Sequence, residues 1–434
     1  MMPGSPPRMP RMPFGELSAR EGWTAKSAWL GRCALLLAIA ALPVHGPLVP
    51  IPLALGIVLL LPRVLAFGSV KDKGLLLLPV VFYLLHVLGM AWTRDVDFGL
   101  FDLEVKLSLL LVPLLAAGLR SAAGRDMLQP AMTALSIGLL VAMVISAWTA
   151  STCYSEHGWK ECFTQSYLST LVHPSYMAWF ACWALFYWGR SLIAGSVPGQ
   201  WPRAACMIFL VLLVVYVVML TSKSGLIGLA VVGALLLVRA FHKLPRRAWP
   251  GLAGILLLVV AVPLYFTGPV LSGRIAEITG ALGKLIRGDQ QILIVETSSN
   301  ERISAWDCSL QCLSDSPWGA GTGDIKHALL ACYQEKGATA AIQHKLNSHS
   351  QVLQSGVALG WPGLLLVCAM MVVPLVIGIR RKDPFIAIFA LLFIINGAIE
   401  SVLEVQAGVV FFILFFVLLI CRSPEPAANT EQRP

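Results

Sequence analysis

Charged side chains are scarce in this chain, and the scarcity decides its class. Asp, Glu, Lys and Arg make up 13% of the 434 residues, against 57% hydrophobic residues and a mean hydropathy of +0.77. A soluble domain carries roughly 25% charge, so that class is excluded, and the apolar sequence is far too long for a single anchor. Other things are missing as well. The glycine-rich stretch Pro317 to Asp324 lacks the Gly-Lys-Ser/Thr ending of a phosphate-binding loop, and a tight backbone turn is the better reading of it. Cys308 and Cys312 are spaced like metal ligands but have no paired histidines beside them. No groove-reading motif accompanies the net charge of +9, so nucleic acid is not a partner. What remains is an all-α, polytopic membrane protein.

A span needs about 20 mostly apolar residues to cross the ~30 Å hydrocarbon core. Twelve such stretches lie near 27–45, 47–67, 74–92, 105–119, 127–150, 173–195, 204–221, 224–240, 248–267, 356–379, 384–400 and 405–421. Alternate short loops hold most of the basic residues, among them Lys71 and Lys73, Arg120 and Arg125, and Arg380 to Lys382. The positive-inside rule makes those loops and both termini cytoplasmic and turns the others outward. The expected organisation is a disordered segment 1–26, nine spans over 27–267, a large outer loop over 268–350, three spans over 351–422 and a tail over 423–434.

Five cysteines fall on the outer side of this topology. Cys153 and Cys162 bracket one short loop and are expected to form a disulfide, and Cys332 is expected to pair with Cys308 or Cys312, which lie one helical turn apart.

The large outer loop holds the residues with chemical potential. A helix is expected from Ser299 or Asn300 to Ser316, with Ile303, Trp306, Leu310 and Leu313 on one face. Arg302 sits in its first turn, where a cation opposes the helix dipole. It either binds an anion or pairs with Glu301 or Asp307. Lys223, in a very short outer turn, either snorkels to the interface or joins Arg302 in a two-cation site suited to a pyrophosphate. His349, between Asn347 and the next span, is the group able to take a proton from a hydroxyl near neutral pH. His173 and Tyr176 form another polar patch at an outer span end, and Arg274 follows the ninth span. Asp95, Asp97, Asp102 and Glu104 offer carboxylates without a recognisable metal-ligand spacing.

The order of four segments is informative. Ser222-Lys223-Ser224-Gly225, Glu301-Arg302-Ile303-Ser304-Ala305-Trp306, Pro317-Trp318-Gly319-Ala320-Gly321-Thr322-Gly323-Asp324 and Leu346-Asn347-Ser348-His349-Ser350-Gln351, the last followed by Leu359-Gly360-Trp361-Pro362-Gly363, together resemble the O-antigen ligase and polymerase superfamily. Two positions depart from its pattern: Lys223 stands where the family carries arginine, and Ser350 where it carries asparagine. The lysine keeps the charge and loses the planar fork.

The resemblance implies a GT-C-like glycosyltransferase of the bacterial inner membrane with its active site on the periplasmic side. The donor would be an undecaprenyl-pyrophosphate-linked glycan and the acceptor a hydroxyl of lipid A-core, with no cofactor and no metal. His349 would be the general base, with Arg302 and Lys223 on the leaving pyrophosphate and Arg274, Asn347, His173 and Tyr176 as substrate contacts. A polymerase or a protein O-oligosaccharyltransferase would differ in acceptor. A flippase is the reading from another class, and it would bury charges within its spans.

Overall fold

The computed structural model describes residues 14–62, 72–119, 127–197, 202–243 and 298–422, with scattered positions between 245 and 279. Every regular element among them is helical. The main helices are α1 (Phe14–Ala41), α2 (Pro50–Leu60), α3 (Lys73–Gly89), α4 (Val96–Lys106), α5 (Ser108–Leu114), α6 (Leu128–His157), α7 (Pro174–Ile193), α8 (Arg203–Leu220), α9 (Lys223–Lys243), α10 (Ser298–Asp315), α11 (Ile325–Glu335), α12 (Thr339–His344), α13 (Gln351–Arg380), α14 (Pro384–Ile399) and α15 (Gln406–Cys421).

Five described helices are long and apolar enough to cross a membrane: α3 continued to Trp92, α6, α8, α9 and α13. Three shorter apolar helices accompany them, Gly46–Leu60, α14 and α15. Two expectations change. The stretch 105–119 is not one continuous helix, because the chain tightens to three-residue turns at Leu107, whose N–H donates to Glu104 O at 3.2 Å, and at Leu115, whose N–H donates to Val112 O at 3.1 Å. α1 reaches back to Phe14, into the segment expected to be disordered, since Pro13 is the last helix breaker before the apolar run. The ninth expected span, near 248–267, lies almost wholly outside the described residues.

Two helices form the centre. α7 and α15 are apolar around their whole circumference, and a helix of that kind must be enclosed by others. Residues Pro174 to Gly189 of α7 and Ala407 to Ile420 of α15 are buried throughout. Trp179 meets Phe411 edge-on at 4.8 Å between ring centroids, and Phe180 meets it at 4.4 Å. Such aromatic pairs contribute about 0.5–1.5 kcal/mol each beyond their buried area.

The glycine-rich stretch is a seam between two backbones. α13 is broken at Gly360, where φ is +66°, and a Cβ there would lie 2.0 Å from the Pro317 carbonyl oxygen. The carbonyls released by the break accept from the seam: Ala320 N–H donates to Val357 O at 2.8 Å and Gly321 N–H to Ala358 O at 3.0 Å. This accounts for Gly319 and Gly360 as packing glycines. Disulfides join Cys153 to Cys162 and Cys308 to Cys332, which resolves the choice for Cys332 and leaves Cys312 as a thiol.

Candidate active site

The starts of α7, α9 and α13 converge with the link between α14 and α15 at one end of the bundle. Ser222 starts α9, taking the Gly225 N–H on its hydroxyl at 3.4 Å and the Leu226 N–H on its carbonyl at 2.8 Å. Gly225 is needed there because a Cβ would approach Ala178 of α7 to 2.5 Å. His173 caps α7, its Nδ1 accepting the Ser175 N–H at 3.4 Å. The positive ends of two helices therefore open on the same space, a ready environment for an anion.

That space is a cavity of about 120 Å³ walled by His173, Ser175, Ser222, Lys223, Arg302 and Glu400. One water requires only ~10–15 Å³ of such volume, so a multi-atom group fits. Lys223 Nζ donates to Ser299 Oγ at 2.8 Å. Arg302 Nη2 donates to Glu400 Oε1 at 2.7 Å, and its Nε donates to Ile399 O at 3.4 Å. The arginine therefore pairs across the bundle. Its two sequence neighbours are engaged elsewhere, Glu301 with His344 at 3.1 Å and Asp307 with Lys336. The guanidinium pairs here with a carboxylate rather than standing as an isolated anion receptor.

Glu400 is the centre of the arrangement. Oε1 also accepts from Ser175 Oγ at 3.1 Å, and Ser222 Oγ donates in turn to Ser175 Oγ at 3.1 Å. On its other side Oε2 stands 3.5 Å from His349 Nδ1, an ion-pair distance and long for a hydrogen bond. Burial alone would raise the Glu400 carboxyl, but His349, Arg302 and His173 outweigh it and hold the group at about 2. The carboxylate is thus ionised at neutral pH and a poor base. Burial pushes the His173 imidazole below its ordinary value, against the opposing pull of Glu400.

His349 is held in an uncommon conformation. Its φ is +43°, in the left-handed region, which costs a non-glycine residue on the order of 1–2 kcal/mol. Two contacts fix it: its N–H donates to Asn347 Oδ1 at 2.9 Å, and its carbonyl accepts from Trp306 Nε1 at 3.3 Å. Trp306 lies on α10 four residues after Arg302, so one helix anchors the histidine and carries the arginine.

Lys223, Arg302, His173 and His349 therefore gather around Glu400, which the sequence analysis did not single out. Asn347 holds the His349 backbone, a positioning contact within the chain. Tyr176 is buried and donates to Ser401 O at 3.3 Å, pinning the same link that carries Glu400. Arg274 lies outside the described residues. Asp95 caps α4 and contacts His327 at 3.1 Å, while Asp102 pairs with Lys106, so these two carboxylates do not share a site. Among the described residues no group of three or more His, Cys, Asp or Glu gathers as a metal-ligand set.

A search of curated proteins returns no match. The family model described as O-antigen ligase matches residues 208–368. That interval runs from α8 into α13 and contains Lys223, Arg302, the glycine seam and His349; over it the chain is similar to the O-antigen ligase family.

Proposed function

We propose that this protein is an O-antigen ligase: it transfers a glycan from undecaprenyl pyrophosphate to a hydroxyl of lipid A-core on the periplasmic face of the inner membrane. The observation that carries the mechanism is the placement of Glu400 between Arg302 and His349. A carboxylate held ionised beside Nδ1 favours the tautomer with its proton there and leaves Nε2 as the base. Nε2 takes the proton of the acceptor hydroxyl as that oxygen attacks the anomeric carbon from the face opposite the pyrophosphate. The anomeric C–O bond breaks, undecaprenyl pyrophosphate departs, and the configuration inverts. The imidazolium formed is stabilised by Glu400.

Negative charge grows on the leaving pyrophosphate. Lys223, Arg302 and the amino-terminal ends of α7 and α9 face that charge from fixed positions, the arrangement that stabilises a transition state more than a ground state. Arg302 has a second duty, since its bond to Glu400 also holds the partner of the base. The sugar chain is too large for the cavity and stays outside it; only the phosphates need to enter.

The deciding experiment is reconstitution of the purified chain in lipid with lipid-linked O-antigen and, separately, rough lipopolysaccharide, a second lipid-linked repeat, or an acceptor protein. Glycan appearing on lipid A-core supports the ligase. Chain growth on the lipid carrier would make it a polymerase, and modified protein would make it a protein glycosyltransferase. Movement of the donor across the bilayer without transfer would overturn the enzymatic reading.

A further inference from the structure

Behind the link that carries Glu400 lies a second charged cluster, centred on a buried lysine. Lys106, the last residue of α4, is completely buried. Its Nζ pairs with Asp102 one turn back and donates to Glu404 Oε2 at 3.0 Å. Glu404 Oε1 accepts from Gln351 Nε2 at 3.3 Å, and Gln351 Oε1 accepts from the Leu403 N–H at 2.6 Å. Gln351 begins α13 two residues after His349, and Leu403 and Glu404 follow Glu400 in the same link. None of these residues lines the cavity.

Burying an ammonium is costly, and a buried ion pair is often replaceable by apolar side chains with no loss of stability. Stability alone is therefore a weak account of Lys106. The connectivity supplies a better one. The two bonds of Gln351, to Glu404 and to Leu403, tie the segment bearing His349 to the segment bearing Glu400, and Lys106 holds Glu404 in place for the first of them. The His349–Glu400 separation is set by where those two segments lie, and a displacement of about 1 Å in a reacting group costs on the order of 10²-fold in rate.

We infer that Lys106 is a positioning residue for the transfer reaction: through Glu404 and Gln351 it locks the 400–404 link against the start of α13 and so sets the approach of Glu400 to His349. The inference rests on His349 as the base and Glu400 as its partner.

The test compares full-length wild type, Lys106→Met, Glu400→Gln and His349→Ala in lipid, measuring kcat, KM for the donor and the pH dependence of kcat/KM. Lys106→Met is expected to lower kcat about tenfold or more while KM stays within about threefold. The charged or titratable groups placed around His349 are Glu400, Arg302 and His173. When Glu400 withdraws, the imidazolium loses its stabilising carboxylate, so the acid limb of the profile moves to lower pH, as in Glu400→Gln. Wild-type kcat in Lys106→Met overturns the inference, and so does a uniform fall at every pH with the limb in place, the signature of a smaller folded fraction. Should His349→Ala keep wild-type transfer, the failure belongs to the mechanism and not to Lys106. If Lys106→Met does not fold, Glu404→Gln carries the same test, because it keeps the side-chain shape and removes the charge that the lysine grips.

Discussion

Glu400 and Glu404 share one short link between α14 and α15, yet they are set in opposite surroundings. Glu400 borders a cavity and divides its oxygens among Arg302, Ser175 and His349, groups from three separate parts of the chain. Glu404 lies outside that cavity, held by Lys106 and Gln351. The first carboxylate faces space that a ligand can enter. The second is saturated from within. On the proposed mechanism, charge of the same kind serves reaction at one position and alignment at the other, and what separates the two is access to the cavity.

The widest break in this comparison comes from the base. His349→Ala is expected to lower transfer by about 10²- to 10⁴-fold at saturating donor and acceptor while leaving donor binding nearly intact, since a general base acts on the acceptor proton. Retention of more than about a tenth of the activity would move the base elsewhere, with His344 the next candidate.

Arg302→Ala should rank next and differ in kind. It removes a charge that meets the donor and a bond that holds Glu400, so both donor engagement and turnover should fall, read as a change in donor KM together with kcat. Arg302→Lys is expected to recover little of this, because an ammonium cannot reproduce the planar fork.

Glu400→Gln sharpens the contrast through pH. The group is held at about 2 from an ordinary 4.5, so its contribution to stability, on the order of 3 kcal/mol, is complete above about pH 4.5 and is lost as pH falls through 2. Thermal unfolding of the glutamine variant should show a flatter loss over that interval, with transfer at neutral pH reduced roughly tenfold or more. An unchanged acid profile would return Glu400 to an ordinary surface carboxylate.

The smallest effect belongs to Lys223→Arg, which keeps the charge and should keep most of the activity, while Lys223→Ala should lose most of it. Near-normal transfer by the alanine variant would show that this lysine only reaches for the membrane interface.

Much of the site was legible because polar residues at the ends of apolar runs have few structural reasons to be there. Lys223, His173 and His349 each stand at such an end, Arg302 stands in the first turn of a helix of the large loop, and the chain brings all four to one place. Glu400 was missed because it closes one apolar run and opens the next, where it reads as a boundary. The available signal was a pair: two glutamates four residues apart within an otherwise apolar stretch from Pro384 to Cys421, where a buried carboxylate must find a cation. The span pattern was legible where helices are continuous, as in α6 and α13, and misleading over 105–119, where hydropathy is uniform but the helix is interrupted. The partner of Arg302 could not be foreseen, since 98 residues separate it from Glu400 and local rules favoured Glu301 or Asp307.

The left-handed backbone of His349 decides which substitutions there speak about chemistry. Alanine in that conformation carries a backbone penalty of about 1–2 kcal/mol and cannot relieve it through any side-chain bond. A β-branched residue would be worse still. Asparagine tolerates the same angles and lacks an imidazole, so His349→Asn removes the base while leaving the turn between Asn347 and α13 undisturbed. On the proposed mechanism, the set of residues that this position accepts is narrow for two independent reasons, one stereochemical and one catalytic. A library of variants at 349 would separate them: asparagine and glycine should yield folded, inactive protein, whereas valine and isoleucine should yield little protein at all.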